Sequence, residues 1–253
     1  MHTPPFNLGL DTFLDLVFPP RCLGCDAYLK RPFDAPTCPP CMEGIFVLDG
    51  PMCPSCGSMR EGFVGTLPGG VDDLCGQCLA EPPAFGSACS HWEYDGIIAE
   101  ALQRIKYGDD MGRLGRLTAM LRPWFMERVA SLMVEHSDLI VIPLPMHRRD
   151  LRRRGFNMPA LMVRRLLKKT GLTMDDTALI KSRQTPAQAS LSKLERCTNL
   201  DGAFEAGPPK TAHAAAILFD DVMTTGATAR EAAGTLKAAG WKEVHVLTAA
   251  RAL

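Results

Sequence analysis

The segment that most constrains this chain is an apolar run that ends in two neighbouring acids and a short polar loop, Ile217-Leu-Phe-Asp-Asp-Val-Met-Thr-Thr-Gly-Ala-Thr228. The apolar run predicts a buried strand, and residues 229–239 after the loop favour a helix. Asp220 and Asp221 are therefore expected where a strand ends, at the edge of a sheet where α/β proteins bind ligands. We call residues 224–228 the Thr-Gly loop.

The Thr-Gly loop has the features of an anion site. The first N–H groups of a helix lack partners within the helix and carry partial positive charge, so an anion binds well there. The two carboxylates can accept hydrogen bonds from neighbouring sugar hydroxyls. A ribose 5-phosphate uses both features, with Asp220 and Asp221 on the ribose. Its 5-phosphate is expected to contact the loop residues Thr224, Thr225, Gly226, Ala227 and Thr228.

A plainer interpretation is that the acids cap a helix and the threonines fill a turn, which is common turn chemistry. A cap needs only one such side chain, whereas this segment has two acids and three threonines. The segment also lacks the Gly-Lys-Ser/Thr of a Walker loop and the Gly-x-Gly-x-x-Gly of a dinucleotide-binding fold.

Eight of the ten cysteines form four Cys-x-x-Cys pairs near the start of the chain. Each such turn presents two thiolates to one side of a tetrahedral ion, which predicts two structural zinc ions in closed sites. Consecutive pairs can share an ion, and an interleaved pairing also satisfies the spacing. The predicted ligands are Cys22, Cys25, Cys38, Cys41, Cys53, Cys56, Cys75 and Cys78.

Disulfides are the alternative for these cysteines, and they are disfavoured in a chain without a secretion signal. Zinc is expected to supply most of the folding energy of such a small region. Chelation is therefore expected to unfold the residues before about Pro83 and to leave the rest folded. Cys89 and Cys197 lie outside the pattern; Cys89 is predicted to be a small core residue, and a catalytic thiol at Cys197 is the weaker alternative.

Strands that alternate with helices after Pro82-Pro83 predict an α/β fold with a mainly parallel sheet. Strands are expected at 88–94, 139–144, 178–181, 214–219 and 244–249. Helices are expected at 97–105, 113–133 with an interruption at Pro123, 159–169 and 229–239. Three regions follow: an N-terminal amphipathic helix within residues 1–20, a zinc-binding domain at 21–83 and an α/β domain at 84–253.

No apolar run approaches the roughly 20 residues of a membrane-spanning helix. Residues 1–18 contain Asp11 and Asp15 but no Lys or Arg, so they lack the basic start of a secretion signal. The expected location is therefore cytoplasmic.

The formal net charge of zero hides an asymmetry along the chain. Residues 1–86 carry four Lys/Arg and ten Asp/Glu, so the cysteine-rich region is a poor surface for DNA phosphates. Residues 147–169 instead carry nine basic residues and a single acid. Their arginine run predicts a mobile cationic loop that binds pyrophosphate through Arg148, Arg149 and Arg154. A solvated basic turn and a nucleic-acid patch are the alternatives.

Several motifs in one order resemble the ComF family of competence-associated phosphoribosyltransferase-like proteins. They are Phe18-Pro-Pro-Arg-Cys-Leu-Gly-Cys25, Leu102-Gln-Arg-Ile-Lys-Tyr107, Ile142-Pro-Leu-Pro-Met-His147, Arg154-Gly-Phe-Asn157, Gln184-Thr-Pro-Ala-Gln188 and the segment at 217–228. The family usually has Gln after Gly-Phe-Asn, where this chain has Met158, which removes a polar contact there.

The resemblance implies a type I phosphoribosyltransferase fold behind a double zinc ribbon, and it favours consecutive pairing of the cysteine turns. It implies that phosphoribosyl pyrophosphate (PRPP) binds with Mg²⁺, that Asp220 and Asp221 are the catalytic acids, and that Lys106 contacts pyrophosphate. A hood over a nitrogen acceptor would include Arg183, Gln184, Thr185, Gln188, Arg196 and Asn199.

Two other functions stay open at this point. The protein can bind PRPP or a nucleotide as a sensor without chemistry. It can also act in DNA uptake, with single-stranded DNA or competence proteins as partners, although Phe156 is the only aromatic residue in the basic segment.

Overall fold

A computed structural model of the chain describes residues 21–29, 36–59, 74–108, 110–185, 200–211 and 214–253. The helix expected within residues 1–20 lies outside these ranges. So do four residues considered above, which are Gln188, Arg196, Cys197 and Asn199.

The described strands are β1 (Ser87–Glu93), β2 (Leu139–Pro143), β3 (Thr173–Met174), β4 (Leu179–Lys181), β5 (Phe204–Ala206), β6 (Ala215–Met223) and β7 (Glu243–Arg251). Five of them form a parallel sheet in the order β1-β7-β6-β2-β3, while β4 and β5 form a separate antiparallel pair. The predicted α/β fold with a mainly parallel sheet is therefore confirmed.

The described helices are α1 (Pro39–Glu43), α2 (Gly76–Ala80), α3 (Gly96–Gly108), α4 (Met111–Glu135), α5 (Arg148–Arg154), α6 (Met158–Leu166) and α7 (Ala227–Ala238). Of the helices in the described ranges, none combines the length and apolar character needed to cross a bilayer.

Two apolar cores cover the two faces of the sheet, because successive residues of a strand point to opposite faces. Ile217 and Phe219 of β6 belong to the core that includes α3, α4 and α6. Leu218 of the same strand belongs to the core that includes α7. The cysteine-rich region contributes to both cores, with Leu23 in the first and Cys53 in the second.

Three local expectations were wrong. Strand β6 continues through both acids to Met223, because it stays paired with β7 up to Arg251. Helix α4 runs through Pro123 without interruption, since Pro123 is exposed while Leu121 and Phe125 on either side are buried.

The third wrong expectation concerns the arginine run, which forms helix α5 rather than a mobile loop. His147 caps its first turn by accepting a hydrogen bond from the Arg149 amide through Nδ1. Gly155 ends it in a left-handed conformation with φ +86°. Arginine and leucine are good helix formers, so these two end signals are sufficient to define a short helix.

The cysteine-rich region is built directly onto the sheet. Residues 46–48 hydrogen bond along the free edge of β1, where the Leu48 amide donates to His91 O and the Glu93 amide donates to Phe46 O. The boundary expected near residue 83 stays a prediction. The backbone hydrogen bonds between residues 46–48 and β1 show that the cysteine-rich region packs directly against the α/β domain.

Candidate functional site

The two acids lie at the carboxyl end of β6, and the sheet register fixes their neighbours. Asp220 is paired with Thr248 of β7, and Asp221 is only 6% exposed. A cavity of about 590 Å³ opens in front of them, and both carboxylates line it. Both acids therefore lie in the wall of a cavity, and their contact with a ligand stays a prediction.

Lys106, near the end of α3, forms an ion pair with Asp221. Burial opposes the ionisation of Asp221, yet the Lys106 ammonium and a hydrogen bond from Asp220 keep the pKa of Asp221 below its ordinary value. Burial and the neighbouring charge of Asp221 raise the pKa of Asp220 well above its ordinary value. The two carboxyls therefore differ in how readily they ionise: Asp221, beside Lys106, is the more acidic, and Asp220 is the less acidic.

The Thr-Gly loop joins β6 to the N-terminus of α7. Gly226 adopts φ +76°, a conformation that favours glycine. The Ala227 amide donates to Thr225 Oγ1 at 3.3 Å. A Cβ at Gly226 would meet only Met223 Sδ, at 3.9 Å, so the backbone conformation rather than crowding accounts for the glycine.

Helix α5 and the residues after it form the opposite wall. The Arg154 guanidinium lies 5.8 Å from the ring centroid of Tyr107, and Arg154 itself lines the cavity. Asn157 donates through Nδ2 to Leu144 O at 3.0 Å. Its Oδ1 is buried and has no hydrogen-bond partner among the described residues, which leaves an acceptor for a ligand hydroxyl or amine.

The cavity brings together most of the residues predicted from sequence. Those that line it are Lys106, Arg154, Asn157, Gln184, Thr185, Asp220, Asp221, Thr224, Gly226 and Thr228. Five others do not line it: Thr225, Ala227, Arg148, Arg149 and Arg183. Arg148 lines a neighbouring groove, and Arg149 reaches Gln184 Oε1 at 3.4 Å.

Sequence reasoning missed Lys181, which lies at the end of β4 and lines the same cavity. Burial lowers the pKa of Lys181, while Asp150 and Asp220 act to raise it. It also missed Tyr94 and Thr248, which line the cavity from the ends of β1 and β7. The carboxyl ends of adjacent parallel strands meet at one edge of the sheet. This rule could have predicted Tyr94 and Thr248 from the sequence.

The cysteines form two separate groups of four. The first cysteine cluster is Cys22, Cys25, Cys38 and Cys41, and the second cysteine cluster is Cys53, Cys56, Cys75 and Cys78. Consecutive turns therefore share a site, which resolves the pairing that the spacing left open.

The geometry of both clusters fits a tetrahedral zinc ion. The sulfur atoms of Cys22 and Cys38 lie 3.7 Å apart, and those of Cys56 and Cys75 lie 3.6 Å apart. Four thiolates at Zn–S distances of about 2.3 Å require sulfur separations close to these values. The Cys38 and Cys75 amides also donate to Cys22 Sγ and Cys53 Sγ, which stabilises the thiolate form. These are closed structural sites for Zn²⁺.

Comparisons with known proteins agree with this architecture. The double zinc ribbon domain family matches residues 13–79. The chain is 30% identical over 209 residues to DNA utilization protein YhgH of Salmonella typhi, which covers 80% of this chain and 85% of the relative. It is 29% identical over 206 residues to YhgH of Escherichia coli K12, covering 81% and 86%.

A third relative is Competence protein F of Haemophilus influenzae, 25% identical over 234 residues. That match covers 92% of this chain and 97% of the relative. The similarity therefore includes the cysteine clusters, the sheet and the cavity at its carboxyl edge.

Proposed function

The chain belongs to the ComF family, which includes Competence protein F and the YhgH proteins, and on this premise we propose that its cavity binds PRPP and transfers the phosphoribosyl group to a nitrogen acceptor. The names of the relatives link the family to competence and DNA utilization, and we extend that physiological role to this chain.

One observation supports the proposal above all others. Asp220 and Asp221 meet the Thr-Gly loop at the mouth of a single cavity, and cationic side chains line the opposite wall. Carboxylates suit the ribose hydroxyls, the first turn of α7 suits the 5-phosphate, and the cations suit a pyrophosphate. A ligand with a sugar between two anionic groups satisfies all three parts.

In the proposed reaction, a nitrogen lone pair forms a bond to the anomeric carbon while the bond to pyrophosphate oxygen breaks. Pyrophosphate leaves with the electron pair, and the acceptor nitrogen loses its proton to solvent or to a neighbouring base. Positive charge develops on the sugar as this bond breaks, so the neighbouring carboxylate of Asp221 stabilises the transition state. Arg154, Lys181 and Lys106 stabilise the charge on the leaving group.

Mg²⁺ fits this site as a partner of the substrate. Within the described residues, groups of three or more side chains close enough to hold one metal ion occur only at the cysteine clusters. Mg²⁺ is commonly held by one or two carboxylates together with substrate phosphates, and Asp220 and Asp221 are the carboxylates available. When bound, the ion would neutralise charge on the pyrophosphate.

Two alternatives have support of their own. A PRPP or nucleotide sensor would use the same cavity without chemistry, and it is favoured by the ion pair that already occupies Asp221. A single-stranded-DNA adaptor is favoured by the exposed arginines of α5, such as Arg153 at 80% side-chain exposure. Pyrophosphate release from PRPP with candidate bases separates the enzyme from the sensor, and a steep salt dependence of oligonucleotide binding supports the adaptor.

The direct test is calorimetry with PRPP, with and without Mg²⁺, on the wild type and on the double variant Asp220→Asn, Asp221→Asn. We expect the double variant to lose PRPP binding while its circular dichroism spectrum stays native. Asp138→Asn is the matched control, because Asp138 lies at the opposite, amino end of β2. Unchanged affinity in the double variant, or no binding by the wild type, would refute the assignment.

A further inference from the structure

Both ends of the Thr-Gly loop are tied to the second cysteine cluster. At the end where β6 enters the loop, the contact runs through Arg251, the last residue of β7. Its Nη1 donates to Cys56 O at 2.6 Å and contacts Met223 Sδ at 2.9 Å. Arg251 is buried, at 8% exposure, so this contact is shielded from water.

At the other end, the contact runs through Arg230 in the first turn of α7. The Arg230 amide donates to Gly226 O at 2.9 Å, which fixes it to the loop. Its side chain extends to the cysteine-rich region, where Nη1 donates to Glu81 O at 2.8 Å and Nη2 donates to Cys78 Sγ at 3.6 Å. One of the acceptors is therefore a sulfur atom of the cluster itself.

The cluster is held firmly against the sheet, so these two contacts can transmit its position. Gly57 adopts φ +67°, and a Cβ there would come within 2.4 Å of Ala88 O in β1. This close approach places the Cys53-x-x-Cys56 turn on the backbone of the edge strand. Cys53, Cys56 and Cys78 also share the apolar core that contains Ala227 and Ala229 of the loop and α7.

From these contacts we infer that the second cysteine cluster, with its zinc ion, positions the Thr-Gly loop for phosphate through Arg251 and Arg230, which act as positioning residues. This inference depends on the proposed function for the meaning of the loop, but the contacts themselves do not. Without the ion, the two Cys-x-x-Cys turns lose the bonds that hold them together, and both anchors of the loop lose a fixed acceptor. Coupling of this kind is reciprocal, so a phosphate on the loop also alters the environment of the metal.

The first experiment needs no ligand. Amide hydrogen exchange of residues 223–230 is measured in the zinc-loaded full chain, with zinc content determined in parallel. We expect Arg230→Ala to speed exchange of this segment by about tenfold, the worth of a lost hydrogen bond to a charged group, while two zinc ions per chain are retained. Arg230→Lys should restore part of the protection. Lys237→Ala, at the far end of the same helix, should leave it unchanged.

The second experiment reads the metal directly and covers the case in which Arg230→Ala does not fold. Cobalt replaces zinc in the wild-type chain, and inorganic phosphate and PRPP are titrated while the ligand-field absorption is recorded. We expect either anion to shift the cobalt bands, and Arg230→Lys to reduce the shift.

The outcomes distinguish this inference from the proposed function. If residues 223–230 exchange at the wild-type rate in a folded Arg230→Ala variant, the inference is overturned. It is also overturned if Lys237→Ala speeds their exchange as much as Arg230→Ala does. Cobalt absorption bands that do not shift when an anion binds to the protein would overturn the inference as well. If the wild type does not bind PRPP, the proposed function fails, while the exchange rates still decide whether the cluster holds the loop.

Discussion

Lys106 and Asp221 form an ion pair across the site, although Lys106 belongs to α3 and Asp221 to β6. Their side chains are only 21% and 9% exposed, so water screens the pair weakly. The pair keeps one carboxylate ionised in a buried position, and it gives Lys106 a partner before any ligand arrives. A phosphorylated ligand that recruits Lys106 therefore has to compete with Asp221 for it.

Replacement of Lys106 by Met should destabilise the protein by about 3 kcal/mol, because it leaves a buried carboxylate unpaired. The loss should shrink in the double variant Lys106→Met, Asp221→Asn, where no charge remains. Urea denaturation of all four proteins gives the coupling energy of the pair. Lys237→Met is the control, since Lys237 is more exposed and its pair with Glu243 should be worth less than about 1 kcal/mol. Additive effects of the two substitutions would contradict the ion pair.

Asp220→Asn should stabilise the protein at neutral and alkaline pH. The raised pKa of Asp220 means that the folded state binds its proton more tightly than the unfolded state does. The protonated Asp220 carboxyl contributes fully to stability below the ordinary carboxyl pKa of about 4. This contribution is lost as the pH rises through the folded-state pKa of Asp220. At high pH, each unit by which the folded-state pKa of Asp220 exceeds its unfolded-state pKa lowers the free energy of unfolding of the wild type by about 1.4 kcal/mol.

The measurement is the melting temperature of wild type and variant from pH 4 to pH 9. We expect the curves to converge in acid and to separate with rising pH, with the variant more stable. Asp138→Asn, whose carboxylate accepts a hydrogen bond from Thr211, should show no such gain. A difference that is constant with pH would show that the stabilisation has another source.

Zinc removal should lower the stability of the whole chain and not only of its N-terminal part. The sequence alone suggests that the α/β domain survives chelation, but the cysteine-rich region contributes Leu23 and Cys53 to the two apolar cores. We expect a strong chelator to release two zinc ions per chain and to lower the melting temperature of the α/β domain, followed by the circular dichroism of its helices. Unchanged proteolysis of the cysteine-rich region after chelation would contradict the zinc assignment itself.

Arg113 should be far more important for stability than Arg104, although both contact Asp26. Arg113 is 1% exposed and also donates to Leu23 O and Asp110, whereas Arg104 is about half exposed. Arg113→Met should cost about 3 kcal/mol, because it removes the donor to the Leu23 carbonyl and the buried guanidinium that pairs with Asp26 and Asp110. Arg104→Met should cost less than about 1 kcal/mol.

Urea denaturation of the zinc-loaded variants tests this difference, with zinc content measured to show that the first cysteine cluster remains intact. Equal losses for the two variants would mean that Arg113 contributes no more than a surface contact. A loss confined to Arg113→Met would show that α4 and the first cysteine cluster stabilise one another.

Patterns that depend on near neighbours were predicted well from the sequence. The apolar runs around Val141, Ile217 and Val246 are strands of the sheet, and the cysteine turns form metal sites, because both depend on local spacing. The arginine run was predicted wrongly although its signals were present. His147 and Gly155 bracket a segment of good helix formers, which is typical of a short helix, whereas the high density of charge is also typical of a solvated loop.

Distant contacts could not be predicted in the same way. The cavity receives Lys181 from a two-stranded sheet, and nothing near Lys181 in the sequence indicates that it lies close to Asp220. The ion pair of Lys106 and the anchors Arg230 and Arg251 likewise join segments that lie far apart in the chain.

By itself, the sequence determined that this protein has two four-cysteine metal sites and a parallel sheet that ends in two acids beside a helix N-terminus. Short-range spacing and side-chain chemistry are sufficient for these features. Only the tertiary structure decided which cysteine turns share an ion, which cations face the acids and how the second cysteine cluster supports the Thr-Gly loop. Those relationships depend on how buried surfaces fit together, and burial together with the charge of Lys106 is also what separates the pKa values of Asp220 and Asp221.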